Sequence, residues 1–264
     1  MSSAGPKWED LAARLGTGAV LLVVGIGAMW IGGIWFALLS ALASAVMVWE
    51  LAQMISPSQR FEALGLALLA GLSVLLARFM SDIYALPLLV VPALAGVALV
   101  RSQWGIFAIF AFAICLAGYG LTTFRDEHGL IWLFWLVSVV MVTDIFGYFA
   151  GRMIGGKKFW PSISPKKTWS GTLAGWIGSA VVGYVFASFT SLDGWIVWVS
   201  VVISFASQMG DIAESAVKRR MGVKDSSNLL PGHGGLFDRF DGLLAASIMM
   251  LVIVWFVPLS EGGF

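Results

Sequence analysis

Gln208, Asp211, Glu214, Ser215 and Lys218 recur at the spacing that stacks side chains on one side of a helix. The chain continues through Arg219, Arg220, Lys224 and Asp225 into Pro231-Gly232-His233-Gly234-Gly235, and then to Asp238, Arg239 and Asp241. Glycines in such a stretch let backbone approach a ligand closely, and the proline stops the structure before it. Asp238 and Asp241 fall on one helical face. Three carboxylates, Asp211, Asp238 and Asp241, brought beside a basic cluster are what magnesium-assisted nucleotidyl transfer needs. The metal takes hard oxygen ligands from one or two carboxylates, water and phosphate. It neutralises charge on a polyphosphate, while Lys and Arg hold phosphates and the leaving group. Any one of these acids could be an ordinary charge at a helix end. The stretch as a whole, with glycines flanking His233 and an Asp-x-x-Asp pair beside an apolar run, is not accounted for that way.

A second constellation starts at Asp144 and runs through Tyr148, Gly151 and Arg152 at helical spacing. Gly155-Gly156-Lys157-Lys158 and Ser164-Pro165-Lys166-Lys167-Thr168-Trp169-Ser170-Gly171 follow. Hydroxyls and lysines here precede an apolar segment whose first free N–H groups favour phosphate. Gly151 to Lys157 imitates the opening of a phosphate-binding loop, but Lys158 stands where Ser or Thr is required and no strand precedes it, so that motif is rejected. Attraction to anionic headgroups is the simpler use of such lysines. Asp144 is less easily set aside, because a carboxylate inside an apolar segment needs a partner, and Arg152 or a bound cation could be one.

These groups must be positioned by membrane-spanning helices. The chain has 264 residues, 59% of them hydrophobic and only 12% charged, with a mean hydropathy of +0.90. That excludes an ordinary soluble domain. Taking about 20 apolar residues per crossing, about nine spans are expected, near 15–32, 34–55, 63–80, 83–100, 104–122, 130–150, 171–190, 195–214 and 242–259. The first is read as an uncleaved span, too long for a signal-peptide core. Gly32 and Gly33 divide it from the second, as a tight hairpin or a broken helix. With alternating spans and a cytoplasmic N-terminus, every one of the 16 basic residues except Arg78 and Arg125 faces the cytoplasm. The expectation is therefore an all-α polytopic membrane protein, N-terminus cytoplasmic and C-terminus outside. An N-terminal region over 1–125 should support a C-terminal catalytic region over 126–264, its cytoplasmic motifs lying at 144–171 and 208–241. Internal repeats of the kind that mark many transporters are not evident.

Cys115 is alone in an apolar run and is read as a small buried hydrophobe. The 13 Trp residues are read as interface anchors and packing. His128, beside Arg125, Asp126 and Glu127, is read as a solvated loop residue, whereas His233 is a candidate phosphate contact or acid/base group.

Ser215-x-x-Lys218-Arg219, Lys224-Asp225 and Pro231-Gly232-His233-Gly234-Gly235-x-x-Asp238-Arg239-x-Asp241 resemble the signature of the phosphatidate cytidylyltransferases, the CDP-diacylglycerol synthases. Asp144-x-x-x-Tyr148-x-x-Gly151-Arg152 and the Ser164 to Trp169 run resemble the family's other cytoplasmic motif. The resemblance implies transfer of CMP from CTP to phosphatidic acid, giving CDP-diacylglycerol and pyrophosphate at a bacterial inner membrane. It implies Mg2+ on Asp211, Asp238 and Asp241, a possible second cation, and a helical homodimer whose site opens to cytoplasm and lipid; no nucleic acid is expected as a partner. Lys166, Lys167, Ser164 and Thr168 would then hold CTP phosphates. Lys218, Lys224, Arg219, His233 and Arg239 would hold phosphates of lipid or nucleotide, with Ser215, Asp144 and Arg152 beside them. Ser170 departs from the pattern, since many members carry Glu there. The alternatives are a cytidylyltransferase or CTP-dependent kinase for another lipid phosphate or polyprenol and, from a different class, a cation or solute transporter. A CDP-alcohol phosphotransferase is disfavoured because neither Asp193-Gly194 nor Asp241-Gly242 continues with the Ala-Arg spacing of those enzymes.

Overall fold

The computed structural model describes residues 7–189 and 194–256, with side chains from residue 15 onward except that of residue 82. The side chains of the expected cytoplasmic residues Lys7 and Arg14 lie outside what is described, as do Asp193, the end of the ninth span and the outward C-terminus. Helices account for nearly all of it: α1 (Lys7–Ile31), α2 (Gly33–Ile55), α3 (Arg60–Ala77), α4 (Asp82–Leu99), α5 (Trp104–His128), α6 (Leu130–Met153), α7 (Trp169–Phe189), α8 (Trp195–Arg220) and α9 (Phe237–Phe256). Each expected span corresponds to one of them. Seven are long and apolar enough to cross a membrane, whereas the apolar parts of α1 and α4, Leu15–Ile31 and Ile83–Leu99, are shorter. The chain is a multi-pass, all-α membrane protein.

Helix limits extend beyond the sequence limits at the polar segments. α8 runs on to Arg220 and α9 begins at Phe237, so Glu214, Lys218, Asp238 and Asp241 all stand on helices. Lys218, Arg219 and Arg220 occupy the last turn of α8, where cations favour the negative end of the helix dipole. Between α6 and α7 lies one short departure from helix, an antiparallel hairpin of β1 (Lys158–Trp160) and β2 (Ser164–Thr168). At the other junction Gly32 and Gly33 take φ of +67° and +53°, giving the tight break expected between α1 and α2.

Two apolar clusters organise the bundle. One joins α2, α3, α4 and α5 around Leu51, Leu66, Leu89, Phe107 and Ile114, and it receives Phe237 and Leu244 from α9. The second joins α6, α8 and α9 around Trp132, Trp135, Leu136, Ile203 and Met250. Cys115 is fully buried in the first, as expected. Trp132 and Trp135 are core residues, packed edge to face with ring centroids 5.9 Å apart. His128 is not a solvated loop residue. It ends α5, is only 9% exposed and packs on Phe124, because the helix runs past the expected limit of the fifth span and carries His128 under the bundle.

The end of the bundle that carries the hairpin also carries the two large polar segments. At the other end, Arg78 pairs with Asp126 at 2.7 Å and Arg125 donates to Met29 O at 2.9 Å. The two basic residues set apart by the sequence thus occupy the same end.

Candidate active site

α6 and α7 approach closely because small residues face each other. A Cβ on Gly171 would lie 2.5 Å from Gly147 O, so only glycine lets the two backbones meet there. Thr143 Oγ1 on α6 lies 2.7 Å from Ser204 Oγ on α8. Gln208 ties α8 to α7 by donating to Thr172 O at 3.3 Å and accepting from Trp176 Nε1 at 3.0 Å. These contacts leave an opening at the polar end of the bundle, a cavity of about 640 Å³ walled by α6, β2, α7, α8 and α9.

Most of the expected residues line this cavity. α6 contributes Asp144, Tyr148 and Arg152, β2 contributes Lys166, Lys167 and Thr168, α8 contributes Asp211 and Lys218, and α9 contributes Asp238, Arg239 and Asp241. Arg152 donates to Tyr148 Oη at 2.8 Å, so its contact is with that hydroxyl, one helical turn from Asp144. Thr168 Oγ1 accepts from Gly171 N at 3.2 Å, and Ser170 Oγ donates to Gly155 O at 2.5 Å. The residue that departs from the family pattern therefore closes the hairpin onto α7.

Asp211, Glu214 and Asp241 offer carboxylate oxygens that all lie within 4.8 Å of one another. Glu214 is buried, and its Oε1 accepts no hydrogen bond. An enclosed oxygen without a donor, beside two further carboxylates, is a hard oxygen set that fits a divalent cation. Lys167 Nζ is 2.5 Å from Asp211 Oδ2, and Ser215 Oγ donates to Asp211 Oδ1 at 3.3 Å.

Asp238 stands differently from the other two expected metal ligands. Its Oδ1 is 2.6 Å from Lys218 Nζ, while Oδ2 accepts from Ser226 N at 2.8 Å, Ser226 Oγ at 3.0 Å and Gly235 N at 2.7 Å. Lys218 also pairs with Glu214 Oε2 at 2.5 Å, so one ammonium joins Asp238 to the acidic trio.

The remaining expected residues lie around the cavity. Lys224 and His233 line a second one of about 490 Å³, which shares Asp225 and Arg239 with the first. His233 Nδ1 is enclosed without a partner, and its carbonyl accepts from Arg239 Nε at 3.0 Å. Arg219 donates to Val223 O at 3.1 Å and closes the end of α8. Ser164, paired with Trp160 across the hairpin, lines neither cavity.

Glu50 was not singled out by its sequence context, yet it is fully buried on α2 and accepts from Ser227 Oγ, Leu236 N and Phe237 N, with Ser226 Oγ 3.4 Å from its Oε2. Its signal is a lone carboxylate inside the second span, toward the span's end, the same signal that marked Asp144. Glu214 was on the correct helical face but had no motif to mark it as a ligand.

Comparison with known proteins gives the family. A Brucella abortus protein named phosphatidate cytidylyltransferase is 37% identical over 253 residues, covering 92% of each chain. A Bacillus subtilis protein of the same name is 40% identical over 122 residues, 45% of each chain. One from Haemophilus influenzae is 38% identical over 143 residues, 51% of this chain and 49% of its own. Residues 12–257 match the Cytidylyltransferase family throughout, and this chain belongs to that family.

Proposed function

We propose that this chain transfers CMP from CTP to phosphatidic acid at the cytoplasmic face of a bacterial inner membrane. The observation that carries the reading is the meeting of Asp211, Glu214 and Asp241 beside a cavity, at the polar end of a membrane bundle, whose walls include Asp211, Asp241, Lys166, Lys167 and Thr168. Magnesium held by Asp211, Glu214 and Asp241 would neutralise phosphate charge and fix phosphate orientation.

The nucleophile needs no activation by a side chain, because the phosphate of phosphatidic acid is already an anionic oxygen. That oxygen bonds to the α-phosphorus of CTP as the bond from the α-phosphorus to the bridging oxygen breaks. Pyrophosphate leaves with the electron pair, and CDP-diacylglycerol remains. The work of the protein is then positioning and charge compensation. Lys166, Lys167 and Thr168 on the hairpin hold nucleotide phosphates, while Arg152 and Arg239 face them across the cavity. Lys224 and His233 bind phosphate at the adjoining cavity. Asp238 holds Lys218 and the loop that ends at Phe237, a role that keeps it in the site without making it a ligand.

Orientation rests on charge: the polar end carries the basic residues that the positive-inside rule places in the cytoplasm. A homodimer is part of the proposal by resemblance to the family, and the mass of the detergent-solubilised particle tests it.

The deciding experiment measures pyrophosphate release by the purified protein from CTP with a panel of lipid phosphates, with and without Mg2+. Release that requires phosphatidic acid and the metal is expected. Release with a different lipid phosphate, or none with any, overturns the assignment. Ion flux through proteoliposomes without CTP consumption would point to transport instead.

A further inference from the structure

The loop joining α8 to α9 is shaped by two acids rather than one. Asp238 gathers Ser226 and Gly235 from above the cavity, and Glu50 reaches the same loop from α2, in the N-terminal half of the chain. Glu50 Oε1 accepts from Ser227 Oγ at 2.6 Å and from Leu236 N at 2.9 Å. Its Oε2 accepts from Phe237 N at 2.7 Å and lies 3.4 Å from Ser226 Oγ. Each carboxylate oxygen therefore takes one backbone N–H, and both N–H groups belong to the opening of α9.

These N–H groups have no carbonyl within their own helix to bind, and they carry the positive end of its dipole. A fully buried carboxylate is costly unless it is well hydrogen-bonded. The donors of the α9 terminus and the two serines supply that bonding. Close fit also excludes a side chain at Gly235, where a Cβ would collide with Ser226 Oγ and Glu50 Oε1.

Ser226 Oγ lies within reach of both Glu50 Oε2 and Asp238 Oδ2, so a single hydroxyl spans the two acids. From Asp238 the contacts run through Lys218 to Glu214, which stands in the trio with Asp211 and Asp241. Asp241 is itself only one turn along α9 from the residues that Glu50 holds.

We infer that Glu50 is a positioning residue for the reaction: by fixing the first turn of α9 it sets where Asp238 and Asp241 stand relative to α8. This rests on the proposed cytidylyl transfer for its catalytic readout, but not for its structural one. Glu50→Gln is the informative variant. Whichever way the amide turns, its NH2 faces the N–H of Leu236 or Phe237, and a backbone donor cannot rotate away as a hydroxyl can. Glu50→Asp keeps the charge and both acceptors on a shorter arm.

The test compares kcat and the KM for CTP, per folded molecule, in the parent, Glu50→Gln and Glu50→Asp, and follows amide hydrogen exchange over residues 226–241 by mass spectrometry. The structure calls for a kcat at least ~30-fold lower in Glu50→Gln, a conversion of about 2 kcal/mol of lost positioning. KM should stay within about threefold. Exchange should quicken over 226–241 while α3, α6 and α7 keep their parental protection, and Glu50→Asp should recover part of the loss. An unchanged kcat overturns the inference, whether or not exchange quickens. So does a fall in kcat with unaltered exchange, and so does a loss of folded protein with parental turnover in what remains. An inactive parent would instead count against the cytidylyl-transfer reading. In that case weaker Mg2+ binding by Glu50→Gln, titrated with the metal alone, supports the positioning role, and parental binding overturns it.

Discussion

Lys167 Nζ lies 2.5 Å from Asp211 Oδ2, so the hairpin lysine suited to a nucleotide phosphate is paired with a carboxylate suited to a metal. The two roles compete for one side chain. Replacing Lys167 by Met should therefore shift two affinities in opposite directions. Mg2+ alone should bind about two- to fivefold more tightly, since an ion pair this accessible contributes roughly 1 kcal/mol or less. The KM for CTP should rise about tenfold or more, the loss expected when a charged group no longer bonds phosphate. Calorimetric titration of the metal and initial rates against CTP measure the two separately; movement in the same direction would refute the competition.

Asp241 and Asp238 should fail in different ways when changed to Asn. Asp241 stands in the oxygen cluster, and its variant should lose at least ~100-fold in turnover with a parental melting temperature in detergent. Asp238 holds Lys218, Ser226 and Gly235, and its variant should also lose about 2–4 kcal/mol of stability as those donors lose their acceptor. Melting curves read beside rates distinguish the two, and equal melting temperatures for both variants would place Asp238 with the metal.

Removal of divalent cations tests the trio without mutation. Chelation should stop turnover, and added Mg2+ should restore it. Because the nine helices among the described residues pack through apolar clusters, helix content by circular dichroism should hold steady throughout. Unfolding on chelation would show that the ion is structural.

Gly171→Ala asks whether the α6–α7 contact matters to the site. The added methyl would press on Gly147 O, and forcing backbones apart costs about 1–3 kcal/mol. As Gly147, Thr168 and Gly171 all border the cavity, activity should fall with stability. A variant with parental melting and parental rate would mean that α6 and α7 can part without consequence.

Much of this site was legible in the sequence because polar groups inside apolar segments stand out. Asp144, Asp211, Lys218 and Asp241 could be placed on faces by helical spacing alone, and the structure gathers them into one cavity. What spacing cannot give is the partner of each acid. Asp238 and Asp241 share a face on a helical wheel, yet Asp238 is taken up by Lys218 and the serine loop while Asp241 joins the carboxylates of α8. Glu50 lies far from either motif in the chain, and only the packing of α2 against α9 brings it to Phe237. The short hairpin was invisible for a related reason: Lys158–Trp160 and Ser164–Thr168 carry no strong strand periodicity, and their pairing is fixed by the helices at either end. The expected junction near residue 125 falls inside the last turn of α5, which hydropathy alone cut short.

The walls of the cavity carry Asp144, Asp211, Asp225, Asp238 and Asp241 against Arg152, Lys166, Lys167, Lys218 and Arg239, opposite signs in equal number. A polyanion entering alone tips that balance one way, and a divalent ion entering alone tips it the other. Each is thus easier to accommodate once its counterpart has arrived, and thermodynamic reciprocity makes the two enhancements equal in factor. Saturation by nucleotide and by metal should consequently be read as a single surface, with neither midpoint meaningful unless the concentration of the other is stated.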